Sequence, residues 1–302
     1  MINKNFSFII LTYNEEIHLP RLLNSIQNLK AKTYILDSGS TDKTTEIATT
    51  FGALIKVNLF ENHPKQWDFA LKNFDIQSPW IIALDADQIV SKELYQLLEN
   101  FNADAYRNIN SIYFNRKNYF QGKWIRFGGY YPFYLLKMFR TNIGYSDLNE
   151  NMDHRFVVPG KSITWQKGFL IENNLKENDI NFWIEKHEKY SDLIAKEEVD
   201  RMHKIRNQVI KASLFGNPDE QRAWFKSLWW KLPLGIRPYL YFIYRMVFQL
   251  GILDGKTGIR FHYLQALWFR LLVDKKIKSL QNNPTHNQTE IHSASIKTTN
   301  TL

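Results

Sequence analysis

Two carboxylates one residue apart, Asp85 and Asp87, close the apolar run Trp80-Ile81-Ile82-Ala83-Leu84. At the carboxyl end of a strand such a pair can grip a divalent cation and, through it, a diphosphate. Spacing alone proves little, because 15 Asp in 302 residues give about 0.7 Asp-x-Asp pairs by chance. The elements around the pair must carry the inference.

Those elements lie mostly upstream. Phe6-Ser7-Phe8-Ile9-Ile10-Leu11 reads as a strand, ends in Thr12-Tyr13-Asn14-Glu15-Glu16, and precedes a helical pattern through Ile17, Leu19, Leu22, Leu23 and Ile26. Tyr34-Ile35-Leu36 is a second strand, ending in Asp37-Ser38-Gly39-Ser40-Thr41-Asp42. There Gly39 allows a tight turn, and Ser40, Thr41 or Asp42 can cap a helix through Thr45, Ile47, Ala48 and Phe51. Gly52 suits that helix's C′ position, and Ala53-Leu54-Ile55-Lys56-Val57 is the next strand. Alternating strands and helices predict parallel βαβ units, whose ligands gather at the carboxyl ends of the strands. Three polar clusters, Thr12 to Glu15, Asp37 to Ser40 and Asp85 to Asp87, are therefore expected on one edge of a sheet.

Phe8-Ile9-Ile10-Leu11-Thr12-Tyr13-Asn14-Glu15, Asp37-Ser38-Gly39-Ser40-Thr41-Asp42 and Leu84-Asp85-Ala86-Asp87, in that order, resemble the family 2 glycosyltransferases, the inverting GT-A enzymes. The resemblance implies an α/β fold of GT-A type, a Rossmann-like mixed sheet flanked by helices, and a sugar-nucleotide donor, a UDP-sugar by preference. It places Thr12, Tyr13, Asn14, Glu15, Asp37, Ser38 and Gly39 at the base and nucleoside. Asp85 and Ala86 fall near the ribose, and Asp87 falls on a Mn²⁺ or Mg²⁺ that bridges the diphosphate. Lys65-Gln66-Trp67-Asp68 resembles a segment that in relatives often reads Gln-Lys-Asn, which would turn Lys65 toward the phosphates. Trp67-Asp68 departs from that pattern.

Charge grows on the departing diphosphate during glycosyl transfer, so a cation or Lys65 would stabilise it. Inversion also needs a base within hydrogen-bond reach of the acceptor hydroxyl. Met152-Asp153-His154-Arg155-Phe156-Val157-Val158-Pro159-Gly160 resembles the stretch Met-Asp-Glu-His-Phe-Val-Val-Asp-Gly of bacterial polysaccharide relatives, with His154 where they carry Glu. Asp153 is the preferred base, with Glu150 and His154 in reserve. Phe182-Trp183-Ile184-Glu185-Lys186-His187-Glu188-Lys189-Tyr190 also looks like this subgroup, and residues 183, 186, 187 and 190 share one helical face. His187 can complete the metal shell there, or it can be a histidine that packs the helix on the sheet.

Plainer readings stand beside these. Asp37-Ser38-Gly39 alone is a turn and cap, and one carboxylate of Asp85 and Asp87 can cap a helix starting at Ser91-Lys92-Glu93. Trp124, Phe127, Tyr130, Tyr131 and Phe133 lie in a loop-like stretch with Gly128 and Gly129 together, where rings can stack on an acceptor sugar or simply pack.

Composition sets the bounds. At 44% hydrophobic content the chain can bury a full catalytic core, and its lack of cysteine excludes disulfides, thiolate metal sites and cysteine nucleophiles. No basic-then-apolar leader precedes the first strand, and no run reaches 18 apolar residues, so neither a signal peptide nor a conventional membrane-spanning helix is expected. Residues 221 to 280 hold 11 Lys or Arg against two acids, Asp254 and Asp274, a difference that equals the +9 of the whole chain. Mixed with Trp224, Trp229, Trp230, Trp268 and many Tyr and Phe, these cations favour a lipid-water interface. Pro233 and Pro238 break the region into short helices. The expected organisation is a catalytic domain over 1–215, a basic aromatic helical membrane-associated region over 216–280, and a disordered polar tail over 281–302.

The leading expectation is a cytoplasmic enzyme bound peripherally to the inner face of the membrane, acting on a lipid-linked glycan or lipopolysaccharide core. Transfer to polyprenyl phosphate is a second reading. A nucleic-acid-binding protein is a third, weakened because the acidic strand ends oppose a polyanion, so no nucleic-acid partner is expected.

Overall fold

The computed structural model describes residues 3–149, 154–203 and 209–282. Its first part is the expected βαβ series: β1 (Asn3–Thr12), α1 (Leu19–Ile26), β2 (Ala31–Asp37), α2 (Thr44–Thr50), β3 (Leu54–Val57), α3 (His63–Asn73) and β4 (Trp80–Asp85). Then come β5 (Gln88–Val90), α4 (Lys92–Glu99), β6 (Ser111–Phe120), β7 (Lys123–Ile125), β8 (Tyr134–Arg140), β9 (Tyr145–Ser146), β10 (Phe156–Val157) and β11 (Ser162–Glu172). Helices complete the described residues: α5 (Ile180–Met202), α6 (Pro218–Trp229), α7 (Arg237–Ile243), α8 (Gly255–His262) and α9 (Phe269–Asn282).

The main sheet runs β3-β2-β1-β4-β8-β6-β11-β5, with β7 paired to β6, and β9 and β10 form a small ribbon of their own. Its first four strands are parallel. Beyond them β8 is antiparallel to both β4 and β6, while β11 is parallel to β6. Two reversals restore the direction, so the carboxyl ends of β1, β2, β4, β6 and β11 share one edge. This mixed α/β sheet flanked by helices is the architecture expected from the sequence.

Both faces of the central strands are buried, as parallel strands covered by helices require. On β1, Phe8 and Ile10 pack with α1 and α4 on one face, while Ile9 and Leu11 pack with Trp67 and Ala70 of α3 on the other. The N-terminal end of α4 is capped by the Ser91 hydroxyl, which accepts from the Leu94 amide at 3.2 Å. The cap therefore uses neither Asp85 nor Asp87. The N-cap of α2 is Lys43, which gives no side-chain cap; Asp42, just before it, accepts from the Thr44 amide at 3.0 Å, and Gly52 follows that helix with φ +74°.

The C-terminal helices are joined to the sheet through α5. Trp183 packs with Phe120, Ile125, Phe261 and Leu264, and Ala195 and Val199 pack with Phe269, Val273 and Ile277 of α9. The loop after β7 is tied to them as well, since Asp254 accepts from the amides of Arg126 and Phe127, each at 3.0 Å. A Cβ on Gly128 would lie 2.2 Å from the His262 ring, so only glycine fits that crossing. No helix among the described residues is long and apolar enough to cross a membrane. Asp153 and Glu150, and positions 283–302 of the expected tail, lie outside the described residues.

Candidate active site

β1, β2 and β4 bring the three polar clusters to one edge, as expected. Asp37, fully buried at the end of β2, is saturated by its neighbours. One carboxylate oxygen accepts from the Thr12 hydroxyl at 2.8 Å, and the other accepts from the amides of Gly39 and Ser40 at 2.9 and 2.7 Å. Asn14, at φ +54°, accepts from the Thr41 amide at 2.8 Å and donates its own amide to the Ser40 hydroxyl at 2.8 Å. The two loops thus hold each other, with Tyr13 left 57% exposed at their lip.

The segment after β4 crosses the sheet edge. Asp85 ends a central strand, yet β5 pairs with β11 at the far margin, with Gln88 opposite Glu172. Ala86, buried, leads the chain past β8 and β6, and Asp87 arrives beside the end of β11. The two acids consequently meet different surroundings. Asp85 accepts from Lys137 Nζ at 2.7 Å and from Gln88 Nε2 at 2.9 Å, with His63 Nε2 at 3.8 Å. Burial opposes its charge, but Lys137, His63 and Arg116 outweigh burial and hold its pKa below the usual carboxylate value. Asp87 accepts from Asn174 Nδ2 at 3.2 Å. Burial, followed by the negative charges of Glu172, Asp85 and Glu15, pushes it up to about 8 against the opposing pull of Lys186. Among the described residues, Asp85 has a cation at ion-pair distance and Asp87 does not.

Several contributors lie outside the sequence motifs. Lys137 is buried within the apolar strand Leu135-Leu136-Lys137-Met138-Phe139, where a lone lysine is itself a signal. Glu172 closes the apolar run Phe169-Leu170-Ile171 and accepts from Arg116 at 2.8 Å, which repeats the pattern of a carboxylate at a strand end. The stretch after β11 then laces the edge together. Asn174 reaches Asp87, Lys176 donates to the Asn14 carbonyl and the Glu15 carboxylate, and Glu177 accepts from Lys186 at 2.7 Å. The Leu175 amide donates to His18 Nε2 at 2.7 Å, so the proton of that ring sits on Nδ1 and is donated to Glu15.

Two assignments need correction. His187 does not join Asp87: its Nδ1 bonds the Trp183 carbonyl at 2.8 Å, its Nε2 meets the Gln265 amide at 3.1 Å, and its ring stacks on Trp183 at 3.5 Å. Burial lowers its pKa to about 4, as befits a histidine held neutral where α5 packs on the last helices. Lys186, one residue earlier, is the α5 side chain whose charge reaches Asp87. Lys65 pairs with Glu61 at the exposed side of α3, while Gln66 is the residue that turns in, donating to the Ser38 hydroxyl and the Asn58 carbonyl, each at 2.8 Å. Helical phase decides this, since neighbouring positions on a helix do not face the same way.

His154 lies against the cluster. Its ring stacks on Trp67 at 5.2 Å and meets the edge of His63, the neighbour of Asp85, at 5.3 Å. Burial, then the charges of His63 and Lys137, hold its pKa well below 6.5, so the imidazole is neutral. The aromatics of the Gly-rich loop mostly pack: Tyr130 lies 4.7 Å from Phe261 and 4.3 Å from the Arg245 guanidinium, and Trp124 meets Tyr131 at 5.0 Å.

Among the described residues no group of three His, Cys, Asp or Glu forms a ready metal cage. Mg²⁺ and Mn²⁺ bound with a nucleotide ordinarily take only one or two carboxylates and draw their other ligands from phosphate and water. A recessed carboxyl that lacks a counter-charge, such as Asp87, fits that arrangement.

Residues 7–156 match Glycosyl transferase family 2, a span that runs from β1 through β10 and includes every strand-end cluster of the three motifs. This part of the chain is a family 2 glycosyltransferase domain. An uncharacterized glycosyltransferase of Rickettsia bellii is 35% identical over 99 residues, 33% of this chain and 33% of the relative. A 4,4'-diaponeurosporenoate glycosyltransferase of Staphylococcus haemolyticus is 30% identical over 118 residues, 36% of this chain and 32% of the relative. The chain thus covers about a third of the length of the curated relatives it matches. Among solved structures, S. aureus TarS 1-349 in complex with UDP is similar over 94% of this chain and 92% of that chain, at 16% identity and a TM-score of 0.45.

Proposed function

We propose that the chain is an inverting GT-A glycosyltransferase that moves a sugar from a UDP-sugar to a lipid-linked glycan or lipopolysaccharide-core acceptor at the cytoplasmic face of the membrane. The observation that carries this reading is the pair of acids at the strand edge: Asp85 is ion-paired with Lys137 at 2.7 Å, whereas Asp87 accepts from the neutral Asn174 amide at 3.2 Å with Glu172, Asp85 and Glu15 around it. Asp87 would hold a divalent cation, whose positive charge would offset the negative charge of the departing diphosphate. The chain's own residues do the rest. Tyr13 offers an exposed ring for the base, the interlocked Asn14 and Asp37 loops hold that ring in place, and Asp85, fixed by Lys137, presents its carboxylate to the ribose. Asp153 is assigned as the base that takes the acceptor proton, with Glu150 and His154 next in order. Support comes from the resemblance of this segment and from its member His154, whose ring lies against His63, the neighbour of Asp85. Contact with the membrane is supported by the apolar and basic surface of the C-terminal helices.

Melting the protein with a panel of sugar nucleotides and Mn²⁺ tests the donor. A ligand at 100 times its dissociation constant adds about 2.7 kcal/mol of stability. Protection by one uridine nucleotide that disappears in chelator is expected. No protection by any nucleotide, with no nucleoside diphosphate released from any sugar nucleotide, would sink the reading. Asp153→Asn should then lower turnover by about 10² to 10⁴ with donor affinity unchanged, and the same loss in Glu150→Gln or His154→Gln instead would move the base there.

A further inference from the structure

Four of the eleven cations of residues 221–280 are matched by acids of the chain. Arg222 pairs with Asp219 at 2.6 Å, Lys226 with Glu197 at 3.4 Å, Arg237 with Glu198 and Asp274 at 2.8 and 2.5 Å, and Lys276 with Asp192 at 2.5 Å. Most of those acids come from α5, outside the stretch whose composition is so basic. Along α7 and the turn that continues it, the outward face is apolar. Ile236, Tyr239, Leu240, Ile243, Val247 and Phe248 recur at three- and four-residue spacing along α7 and the turn that continues it, and each is between 47% and 73% exposed. Ile252 and Leu253, in the next turn, are also more than half exposed. The opposite side of the same helix, Arg237, Pro238 and Met246, is buried.

We propose that this ridge, residues 236–253, inserts into an anionic lipid surface, and that its apolar side chains rather than the cations of α9 hold the protein there. A contiguous exposed apolar face of this kind marks an interaction surface. Charge selects the occupant. The two acids of residues 221–282, Asp254 and Asp274, are buried and bonded inward, so the ionised groups this region turns outward are cations, with Lys231, Lys256 and Arg260 exposed on either side of the ridge in sequence. A second copy docked on the ridge would oppose those cations to their own kind, whereas anionic headgroups complement them. Continuous helix from 237 to 248 is about 18 Å long at 1.5 Å per residue, well short of a hydrocarbon core of about 30 Å. The ridge therefore lies in the plane of the interface. The inference rests on the membrane-facing part of the proposed function and on none of its chemistry.

Co-sedimentation with vesicles of equal parts phosphatidylglycerol and phosphatidylcholine tests it without any sugar substrate. The full chain should bind, and should still bind in about 1 M salt, where charges are screened beyond about 3 Å. Val247→Glu with Phe248→Glu should lower partitioning about tenfold or more with the melting temperature unchanged, because both side chains are exposed. Lys275→Glu with Lys278→Glu should lower it less. The chain has no cysteine, so Phe248→Cys carries a single environment-sensitive dye, whose emission should shift to the blue on vesicles while a dye at Ser279→Cys does not. Binding that salt abolishes, or that the ridge variant leaves intact, overturns the insertion while the membrane-facing reading survives. No vesicle binding, with a dimer in sedimentation velocity that Val247→Glu dissociates, overturns both and assigns the ridge to a second copy.

Discussion

Two regions of this molecule bury charge, and they do so with opposite outcomes. Between α5, α7 and α9, Arg237 donates to Asp274 at 2.8 and 2.5 Å and to Glu198 at 2.8 Å, its guanidinium lies 4.7 Å from the Trp229 ring, and the Gly235 amide satisfies the remaining Asp274 oxygen at 2.6 Å. Burial opposes the charge of Arg237, but both carboxylates outweigh it and raise its pKa above the ordinary value. At the strand edge, Asp87 faces Glu172, Asp85 and Glu15, and the nearby cations are spent elsewhere: Lys137 on Asp85, Arg116 on Glu172, Lys186 on Glu177. A buried charge with all its partners in the chain is architecture. One that no cation among the described residues pairs is what a bound cation, as proposed for Asp87, would complete.

The comparison breaks most sharply at its two central residues. Asp87→Ala should lower metal-dependent turnover on the order of 10³-fold while leaving the melting temperature equal or higher, because it removes a carboxyl whose ionisation the surrounding acids and burial oppose. Activity that persists in this variant, or in excess chelator, would remove the dication from the mechanism. Arg237→Met should do the reverse, costing about 3 to 5 kcal/mol of stability in urea because two buried carboxylates lose their partner. A small loss there would mean that the cluster relaxes to water.

The pH profile sharpens the same contrast through His187. Its folded pKa of about 4 lies below the ordinary 6.5, so the unfolded chain takes up a proton first as pH falls. Its contribution to stability is therefore intact above pH 6.5 and is lost progressively as pH drops toward 4, by about 3 kcal/mol in all. Urea midpoints from pH 7 to 4 should fall less steeply in His187→Gln, and equal slopes would show that the ring is not held neutral. The smallest effect expected is that of Lys186→Met, about tenfold or less in turnover with its main cost in donor affinity, since Lys186 reaches Asp87 from beyond its own partner Glu177. A fall in stability without a change in donor affinity would make Lys186 purely structural.

Much of the strand edge is legible in the order of the residues. β1, β2 and β4 announce themselves as apolar runs, and each ends in polar residues because a strand buried on both faces can place polar side chains only where it leaves the sheet. Asp85 and Asp87 stand out for that reason, as do the Asn14 and Asp37 loops. Lys137, Glu172, Asn174 and Lys186 are not legible as partners of these residues. They lie 52 to 99 positions downstream of Asp85 and Asp87, and only two reversals of strand direction and the passage of the chain from β4 to β5 set them beside the motif. Lys65 and His187 differ from expectation for a more local reason: each belongs to a helix whose phase turns it away from the edge and a neighbour, Gln66 or Lys186, toward it.

Charge in the C-terminal helices divides the same way. Composition alone determined that residues 221 to 280 are basic and aromatic, because counting needs no partner. Tertiary structure decided where that charge points. Helix α5 brings Asp192, Glu197 and Glu198 against part of it, so Lys226, Arg237 and Lys276 face acids, and along α7 and the turn after it the outward face is left to Ile243, Val247 and Phe248. A sequence specifies which groups exist and their local period, whereas an electrostatic environment is a sum over everything nearby in space. In a sheet of mixed direction those neighbours come from anywhere in the chain, which is why the Asp87 carboxyl is visible in the sequence and its want of a counter-charge is not.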